Sequence, residues 1–297
     1  MWMLSALAGY TFLAGEAVLS KFLITARIKN WQLYAFYIGL FSIFSLIFTP
    51  FGLDWFGPKA FLAAVFSGFL FYLALVFLFQ SLLVSSAIRV YVLFGAVMTL
   101  ATTFLAPIFL HEKITSLSFA GIILLILGGF FIAFKHYERA FFSNWQKTIL
   151  AGVLAAASFV VLKYAYSEQN FVSGYIVSRM GITASALFSL LVPSFRRKIF
   201  STFKREKGKE SAKNLLGSII AKTLAGVGTV LVHYGIFLGS VVIVNALVSV
   251  QYLLTFVFSV ALSFCWKKIF IEKFTPLNFF LKIIGVVCVV LGTVLVS

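Results

Sequence analysis

Acidic side chains and cysteines are both scarce in this chain. Its 297 residues include eight aspartates and glutamates against 24 lysines and arginines, and two cysteines, Cys265 and Cys288. Two cysteines support neither a disulfide framework nor a metal site, and we expect no metal or cofactor. Alternation of apolar and polar residues, which a membrane β-barrel requires, is absent throughout. The amino-terminal MWMLSALAGY has no basic segment, so we expect a retained first helix and not a cleaved signal peptide.

Hydrophobic residues are what the chain has in abundance. They make up 62% of it, charged residues make up 11%, and the mean hydropathy is +1.08. No water-soluble domain of this length carries that composition without large exposed apolar patches. Apolar runs of about 20 residues match a helix that spans a bilayer. The sequence therefore predicts an all-α, multi-pass integral membrane protein, which we expect in the plasma (inner) membrane.

Apolar runs and chain breakers divide the sequence into ten predicted transmembrane helices. The predicted spans are 2–24, 31–49, 59–83, 87–110, 116–134, 148–167, 171–192, 214–238, 240–264 and 276–296. Trp31, Trp55 and Trp145 fall at the ends of spans, which is where an interfacial aromatic belt belongs.

Basic residues are distributed unequally between the linkers. Linkers after even-numbered spans contain only Lys59 and Lys113, whereas linkers after odd-numbered spans contain most of the other lysines and arginines. The positive-inside rule then predicts that both termini lie outside and that the basic loop FRRKIFSTFKREKGKESAK lies in the cytoplasm. We interpret that loop as a topogenic segment near anionic lipid. Binding of nucleic acid or a regulatory protein is the minor alternative, and we expect no nucleic-acid partner.

Two segments recur in the same order in the two halves of the sequence. HEKITSLSFAGIILLILGG resembles IEKFTPLNFFLKIIGVVCVVLG, which aligns Glu112 with Glu272. The glycines that follow are displaced by four residues, about one helical turn. LAGEAVLSKF likewise resembles AAASFVVLKY, which aligns Lys21 in span one with Lys163 in span six.

These matches divide the chain into two units of five spans each, 1–140 and 141–297. Because five is odd, the two units must cross the membrane in opposite directions, which is a 5+5 inverted-topology repeat. Two similar units of opposite direction can exchange conformations, so a site between them opens first to one side and then to the other. The repeat therefore predicts transport by alternating access.

Ten spans in this arrangement, with HEKIT or IEKFT before a glycine-rich fifth helix, resemble the EamA family of the drug/metabolite transporter superfamily. The family pattern P…L-x-E-x-x-T…G…G is matched by Pro107, Leu110, Glu112, Thr115, Gly121 and Gly128. The second half departs from it, because no proline precedes Glu272. The resemblance covers nearly the entire chain and implies fold and transport, not substrate. Family members of ten spans usually have both termini in the cytoplasm, so both orientations stay open.

Glu16 is the one acidic residue well inside a predicted span. It lies about 10 Å from Leu23 along the helix, and it does not share a face with Lys21. Glu16 resembles the first-helix glutamate of small multidrug resistance proteins, which exchanges protons for cationic substrate. That resemblance implies a coupling or substrate site at Glu16. The alternative is a structural ion pair with a lysine from another helix.

Other polar and aromatic residues inside the spans are candidates to line a cavity, each with a simpler alternative. Lysines near helix ends can extend to the interface, neutral polar groups can link helices, and aromatic rings can simply pack. As substrate-binding candidates we take Arg179, Lys222, Lys163, Lys21, His233, Asn245, Tyr72 and Tyr91.

The sequence favours a secondary transporter that moves a small polar metabolite, either amino-acid-like or an organic anion, with proton coupling through Glu16 as an option. The alternative is an exchanger of sugar phosphates or lipid-linked sugars without proton coupling, in which Arg179, Lys222 and Lys163 bind the anion. The remote alternatives are an intramembrane enzyme and a purely structural or receptor protein. An enzyme is disfavoured, because intramembrane catalysis needs paired carboxylates, an activated nucleophile or metal ligands. We expect a small molecule and membrane lipid as partners, and no need for an oligomer.

Overall fold

The computed structural model describes residues 1–23, 31–54, 57–83, 87–133, 145–206, 212–265 and 276–297. In these ranges the chain is helical and forms no strand. The α-helices are α1 Trp2–Leu23, α2 Trp31–Phe41, α3 Pro58–Leu82, α4 Ala87–Leu110, α5 Ser116–Ala133, α6 Trp145–Ser167, α7 Phe171–Ser189, α8 Pro193–Glu206, α9 Ala212–Leu238, α10 Val241–Ala246, α11 Val248–Cys265 and α12 Pro276–Val296. A 3-10 helix, Ser42–Phe51, continues α2.

Nine helical segments within the described ranges are long and apolar enough to cross a bilayer, counting α2 with the 3-10 helix and α10 with α11. A shorter apolar helix, Ser116–Ile132, occupies the position of the predicted fifth span. The chain is therefore an all-helical, multi-pass integral membrane protein. Trp31 begins α2 and Trp145 begins α6, as expected of interfacial residues, and Trp55 lies outside the described residues.

The basic segment that the sequence interpretation treats as a loop begins with a helix, α8. Pro193 stands at its first position, where a proline costs no hydrogen bond. The Phe195 ring packs edge-on against Trp31, with centroids 5.1 Å apart, and Ile199 is fully buried. Arg196 and Arg197 are exposed. The segment is thus partly helical, and it remains a linker between two apolar helices, because α8 is not among the helices apolar enough to cross a bilayer.

The predicted ninth span is interrupted inside the bundle, between α10 and α11. Two backbone carbonyls beside the interruption accept hydrogen bonds from other helices: Tyr10 Oη donates to Val244 at 2.9 Å, and Thr99 Oγ1 donates to Asn245 at 3.3 Å. A break at membrane depth is tolerated where such partners are available. The predicted span 240–264 contains no proline, so no break in it was predicted.

Glycines lie where the backbones of neighbouring helices approach each other most closely. A Cβ atom added to Gly121 of α5 would lie 3.0 Å from the carbonyl oxygen of Gly292 of α12, and one added to Gly292 would lie 2.9 Å from that of Gly121. Gly128 and Gly285 approach each other in the same way, at 2.9 Å in both directions. Such small residues let backbones approach where lipid provides no hydrophobic drive for helix association.

The start of α7, which sets the depth of the site described below, is anchored by Asn170. Its side-chain oxygen accepts from the Ser173 backbone N–H at 2.8 Å, which caps the helix. Its amide nitrogen donates to Asp54 Oδ2 at 2.8 Å and to the Gly52 carbonyl at 3.0 Å. Deeper in the bundle, the hydroxyls of Ser67 and Ser178 lie 3.0 Å apart and join α3 to α7.

Candidate functional site

Arg179 of α7 and His233 of α9 meet in the interior of the bundle. Arg179 Nη2 lies 3.0 Å from His233 Nε2, and His233 Nδ1 lies 2.8 Å from the Thr229 carbonyl oxygen. A carbonyl oxygen only accepts, so Nδ1 carries the hydrogen. Arg179 Nη2 lies 3.4 Å from Nδ1 as well, so the guanidinium lies over the face of the imidazole ring. Arg179 is 8% exposed and His233 is 5% exposed.

Aromatic rings surround the Arg179–His233 pair. The Arg179 Cζ atom lies 4.8 Å from the centroid of Tyr175 and 5.9 Å from that of Phe71. The His233 ring packs 5.5 Å from Phe159 and 5.4 Å from Tyr175. Ring faces attract a cation, but they do not neutralise it. In the part of the chain that the structure describes, no carboxylate contacts Arg179.

Two polar atoms at this pair have no hydrogen-bond partner among the described residues. They are Nε of Arg179 and Oη of Tyr166. Tyr166 is 4% exposed, packs 5.5 Å from Phe237, and lies within electrostatic reach of Arg179. A shielded donor without a partner costs about 1–3 kcal/mol. A ligand that brings oxygen acceptors would remove that cost.

Lys163 belongs to a different cluster of polar groups, at the end of α9. Its Nζ donates to the carbonyl oxygens of Ile236 at 2.8 Å, Phe237 at 3.0 Å and Gly239 at 2.7 Å. An ammonium has three donors, so all of them are used. A cation at this place also interacts favourably with the helix dipole. Lys163 is therefore a helix cap in this structure.

Glu112 caps the next helix, α10. Its Oε2 accepts from Ser240 Oγ at 2.7 Å, and its Oε1 accepts from the Val241 backbone N–H at 3.2 Å. The carboxylate lies within electrostatic reach of Lys163. We call Lys163, Glu112 and Ser240 the α9–α10 cap. A cavity of about 280 Å³ lies beside it, lined in part by Lys113 and Ser118.

The remaining candidates from the sequence occupy separate places. Asn245 is buried and its amide donates to Thr102 Oγ1 at 3.1 Å, so it links helices. Tyr72 is buried and donates to Ser189 Oγ at 3.0 Å. Tyr91 is 42% exposed.

The two other lysine candidates are not part of the Arg179–His233 pair as far as the structure describes them. Lys222 is exposed, and its Nζ donates to Tyr34 Oη at 3.1 Å. The side chain of Lys21 lies outside the described residues.

Glu16 is half-buried on α1 and lies within electrostatic reach of Tyr91. A Cβ atom added to the neighbouring Gly15 would have nothing within 4 Å, so there is open space beside it. Leu13 packs against Gly228, and α1 runs antiparallel to α9, so Glu16 lies roughly two helical turns, or about 12 Å, from His233 along the bundle. The structure does not bring Glu16 to the Arg179–His233 pair.

Sequence reasoning missed three of the groups that surround Arg179: Phe71, Tyr166 and Tyr175. Tyr175 precedes Arg179 by one helical turn, a spacing at which side chains meet on a helix face, so it could have been found. Phe71 and Tyr166 lie on other helices, and their contribution needs the tertiary arrangement.

Comparison with known proteins identifies the fold and nothing further. No protein-family model matches the chain, and no curated protein matches it. A crystal structure described only as that of a protein superposes on this chain with a TM-score of 0.68 at 13% sequence identity. The alignment covers 100% of this chain and 96% of the other. The fold is a known one. At this identity, the likeness carries no information on substrate.

Proposed function

We propose that this protein is a secondary transporter that moves a small polar metabolite, amino-acid-like or an organic anion, by alternating access. It would be a member of the EamA family in the plasma membrane and would have no enzymatic activity. The proposal includes ten transmembrane helices arranged as a 5+5 inverted repeat, with 1–140 and 141–297 as the two units.

The observation that carries the proposal is the reciprocal glycine contact between α5 and α12. In the repeat alignment with the four-residue displacement, Gly121 corresponds to Gly285 and Gly128 corresponds to Gly292. Exchanging the two units therefore converts the Gly121–Gly292 contact into the Gly285–Gly128 contact. A two-fold relation between the units, with its axis through this crossing, accounts for both contacts and for their equal closeness.

Other helix pairs agree with the same exchange. The repeat equates α1 with α6 and α3 with α9, so the packing of α1 on α9 should reappear as that of α6 on α3, and both pairs are in contact. The packing of α4 on α6 corresponds likewise to that of α11 on α1. These pairs join one unit to the other, so rocking at these contacts would open a central site to alternate sides.

The test is uptake by the purified protein in liposomes. Labelled amino acids and labelled mono- and dicarboxylates would be supplied outside, with the same unlabelled compound inside or absent. A transporter of this kind shows saturable uptake that is accelerated by internal unlabelled substrate. Uptake that is linear in concentration, or equal to that of empty liposomes for every compound, would refute the proposal.

Coupling through Glu16 is a separate part of the proposal. A pH gradient should alter uptake by the wild type and should lose that effect in Glu16→Gln. An equal response of the two proteins would end the coupling role of Glu16 and leave the transport function standing.

Arg179 favours a second candidate, an anion exchanger without proton coupling. A buried guanidinium with an unpaired Nε suits a carboxylate or phosphate. Counterflow of sugar phosphates that is lost in Arg179→Gln and is independent of a pH gradient would support it over the first candidate.

A further inference from the structure

The corner between α7 and α8 lies where the hydrocarbon core of the bilayer ends. α7 is one of the helices apolar enough to cross the membrane, and its 19 residues make it about 28 Å long, close to the thickness of that core. Helical hydrogen bonds continue through the corner: the Val192 N–H donates to the Ser189 carbonyl at 3.2 Å, and the Arg196 N–H donates to the Val192 carbonyl at 3.1 Å. The first turns of α8 are therefore held at the depth of the lipid headgroups.

Large apolar side chains are exposed at this corner. Phe188 near the end of α7, Leu191 after it and Phe200 of α8 are each more than half exposed. Such a patch is costly in water and marks a contact with a partner or with a bilayer. Because α7 crosses the membrane, acyl chains of the surrounding lipids are the natural cover for these side chains.

Two guanidinium groups flank Phe200 on the exposed face of α8. Around the helix, Arg196 lies about 40° to one side of Phe200 and Arg197 lies about 60° to the other. Both arginines are exposed, and neither has a hydrogen bond or an ion pair with a residue that the structure describes. Phe195 and Ile199 form a different face of α8, which packs against the bundle. The two cations are therefore available to an anion from outside the protein.

We propose that Arg196 and Arg197 bind the phosphate group of an acidic phospholipid while Phe200 inserts between the acyl chains. A guanidinium binds phosphate oxygens through two parallel N–H donors, so the arginine pair suits this group. Two cations that no described carboxylate contacts favour a lipid of net negative charge over a zwitterionic one. Nucleic acid offers similar phosphates, but it would leave the exposed apolar side chains uncovered. The proposal does not depend on the transport function.

A lipid bound on the outer face of α8 holds this helix between the bilayer and α2. Trp31, the first residue of α2, packs edge-on against Phe195 with ring centroids 5.1 Å apart. Ile199 is buried in the same hydrophobic cluster as Leu33 and Phe36 of α2. A ligand that binds only the folded protein stabilises it. The acidic lipid should therefore raise the unfolding temperature of the protein.

The experiment measures lipid binding to the purified full chain in detergent. Phosphatidylglycerol and phosphatidylcholine with identical acyl chains are titrated in, bound lipid is counted by native mass spectrometry, and the unfolding temperature is followed in parallel. We expect phosphatidylglycerol to be retained more strongly and to raise the unfolding temperature more. Glycerol 3-phosphate tests whether a soluble phosphate suffices, and a single-stranded oligonucleotide tests nucleic acid. We expect neither to displace phosphatidylglycerol.

Matched variants separate this site from the general attraction of a basic protein for anionic lipid. Arg196→Gln with Arg197→Gln should weaken phosphatidylglycerol binding about 30-fold, at about fivefold for each cation, and leave phosphatidylcholine binding unchanged. The control, Lys59→Gln with Lys113→Gln, removes two exposed cations outside α8 and should keep the preference. Replacing both arginines by lysine keeps the charge and should retain part of the binding.

The depth of the Phe200 side chain is measured separately. Phe200→Trp adds a fluorophore at this position, and the added emission should be quenched by phosphatidylglycerol brominated on its acyl chains and little by aqueous iodide. The wild type supplies the signal of the native tryptophans for subtraction. All variants are required to keep the gel-filtration profile of the wild type.

Several results would overturn the proposal. They are equal retention of the two lipids by the wild type, the same loss in the control variant as in the double arginine variant, and quenching of the Phe200→Trp emission by iodide alone. Displacement of phosphatidylglycerol by glycerol 3-phosphate would make the site one for soluble phosphates, and displacement by the oligonucleotide would make it one for nucleic acid. None of these measurements needs transport, so the proposal and the transport function fail independently.

Discussion

Lys163 and Arg179 are both cations within the helical bundle, but they differ in how far the protein satisfies their hydrogen-bond donors. Lys163 gives all three of its donors to backbone carbonyls at the end of α9. Arg179 has the His233 imidazole and other ring faces as partners, and its Nε has none. A cation that the protein satisfies completely stabilises the fold, whereas one left with unused donors is available to a ligand. The comparison separates two residues that the sequence presents as equal candidates.

The largest effect should follow from Arg179→Gln. Losing two charged hydrogen bonds to an anion costs about 3 kcal/mol or more, which is a fall in affinity of at least about 100-fold. The unfolding temperature of the empty protein should stay the same or rise, because an uncompensated buried charge is removed. Isothermal titration with benzoate and a thermal melt without ligand check the two parts. A large fall in unfolding temperature would make Arg179 structural, like Lys163.

Lys163→Met should show the reverse pattern. Three backbone carbonyls at the end of α9 lose their donor, and we expect the free energy of unfolding to fall by about 2–4 kcal/mol. Affinity for benzoate should change by less than about threefold, because Lys163 has no free donor for a ligand. Denaturant titration followed by far-ultraviolet circular dichroism measures the first, and Lys163→Arg is the matched control. A protein of normal stability that no longer binds anions would contradict the comparison.

A smaller effect is expected at the other half of the α9–α10 cap. Glu112→Gln keeps an oxygen acceptor for the Val241 backbone N–H but removes the negative charge at the start of α10, and should destabilise by about 1 kcal/mol. Ser240→Ala removes the partner hydroxyl and should cost a similar amount. The double variant should lose less than the sum, because both residues form one hydrogen bond. Additive losses would show that they act separately.

The smallest effect, and the one opposite in sign to Lys163→Met, should come from Tyr166→Phe. This change removes a buried hydroxyl without a partner, so the empty protein should become more stable by about 0.5–1 kcal/mol. Affinity for benzoate should fall slightly if the hydroxyl donates to the bound anion. Thermal melts with and without benzoate compare the two states. A loss of stability in the empty protein would mean that the hydroxyl has a partner there.

Much of the fold was predictable because the insertion of a segment into a membrane depends mainly on the hydrophobicity of that segment. Ser116–Ala133 and Phe171–Ser189 coincide closely with predicted spans, since a run of apolar residues has few alternatives to a helix in a bilayer. The break at Leu247 was not predictable in this way. It depends on hydroxyl groups of Tyr10 and Thr99, which are far away in sequence and reach the carbonyls only in the folded bundle.

The candidate site shows the same division. A charged residue inside a span identifies Arg179 as unusual, and a polar one identifies His233, but nothing in the sequence joins two residues that lie 54 positions apart. Glu16 is the most unusual residue by position in the sequence, yet it lies away from this pair. The free-energy cost of burying a charged or polar side chain depends on the groups around it, and those groups belong to neighbouring helices.

By itself, the sequence determined that this protein is a multi-pass helical membrane protein, and it determined which polar residues enter the membrane, because both follow from the hydrophobicity of short segments. Only the tertiary structure decided which of those polar residues are satisfied by the protein. Lys163 and Arg179 differ because carbonyl groups from the end of α9 surround one, while an imidazole and aromatic rings surround the other, and most of these partners come from elements distant in the chain.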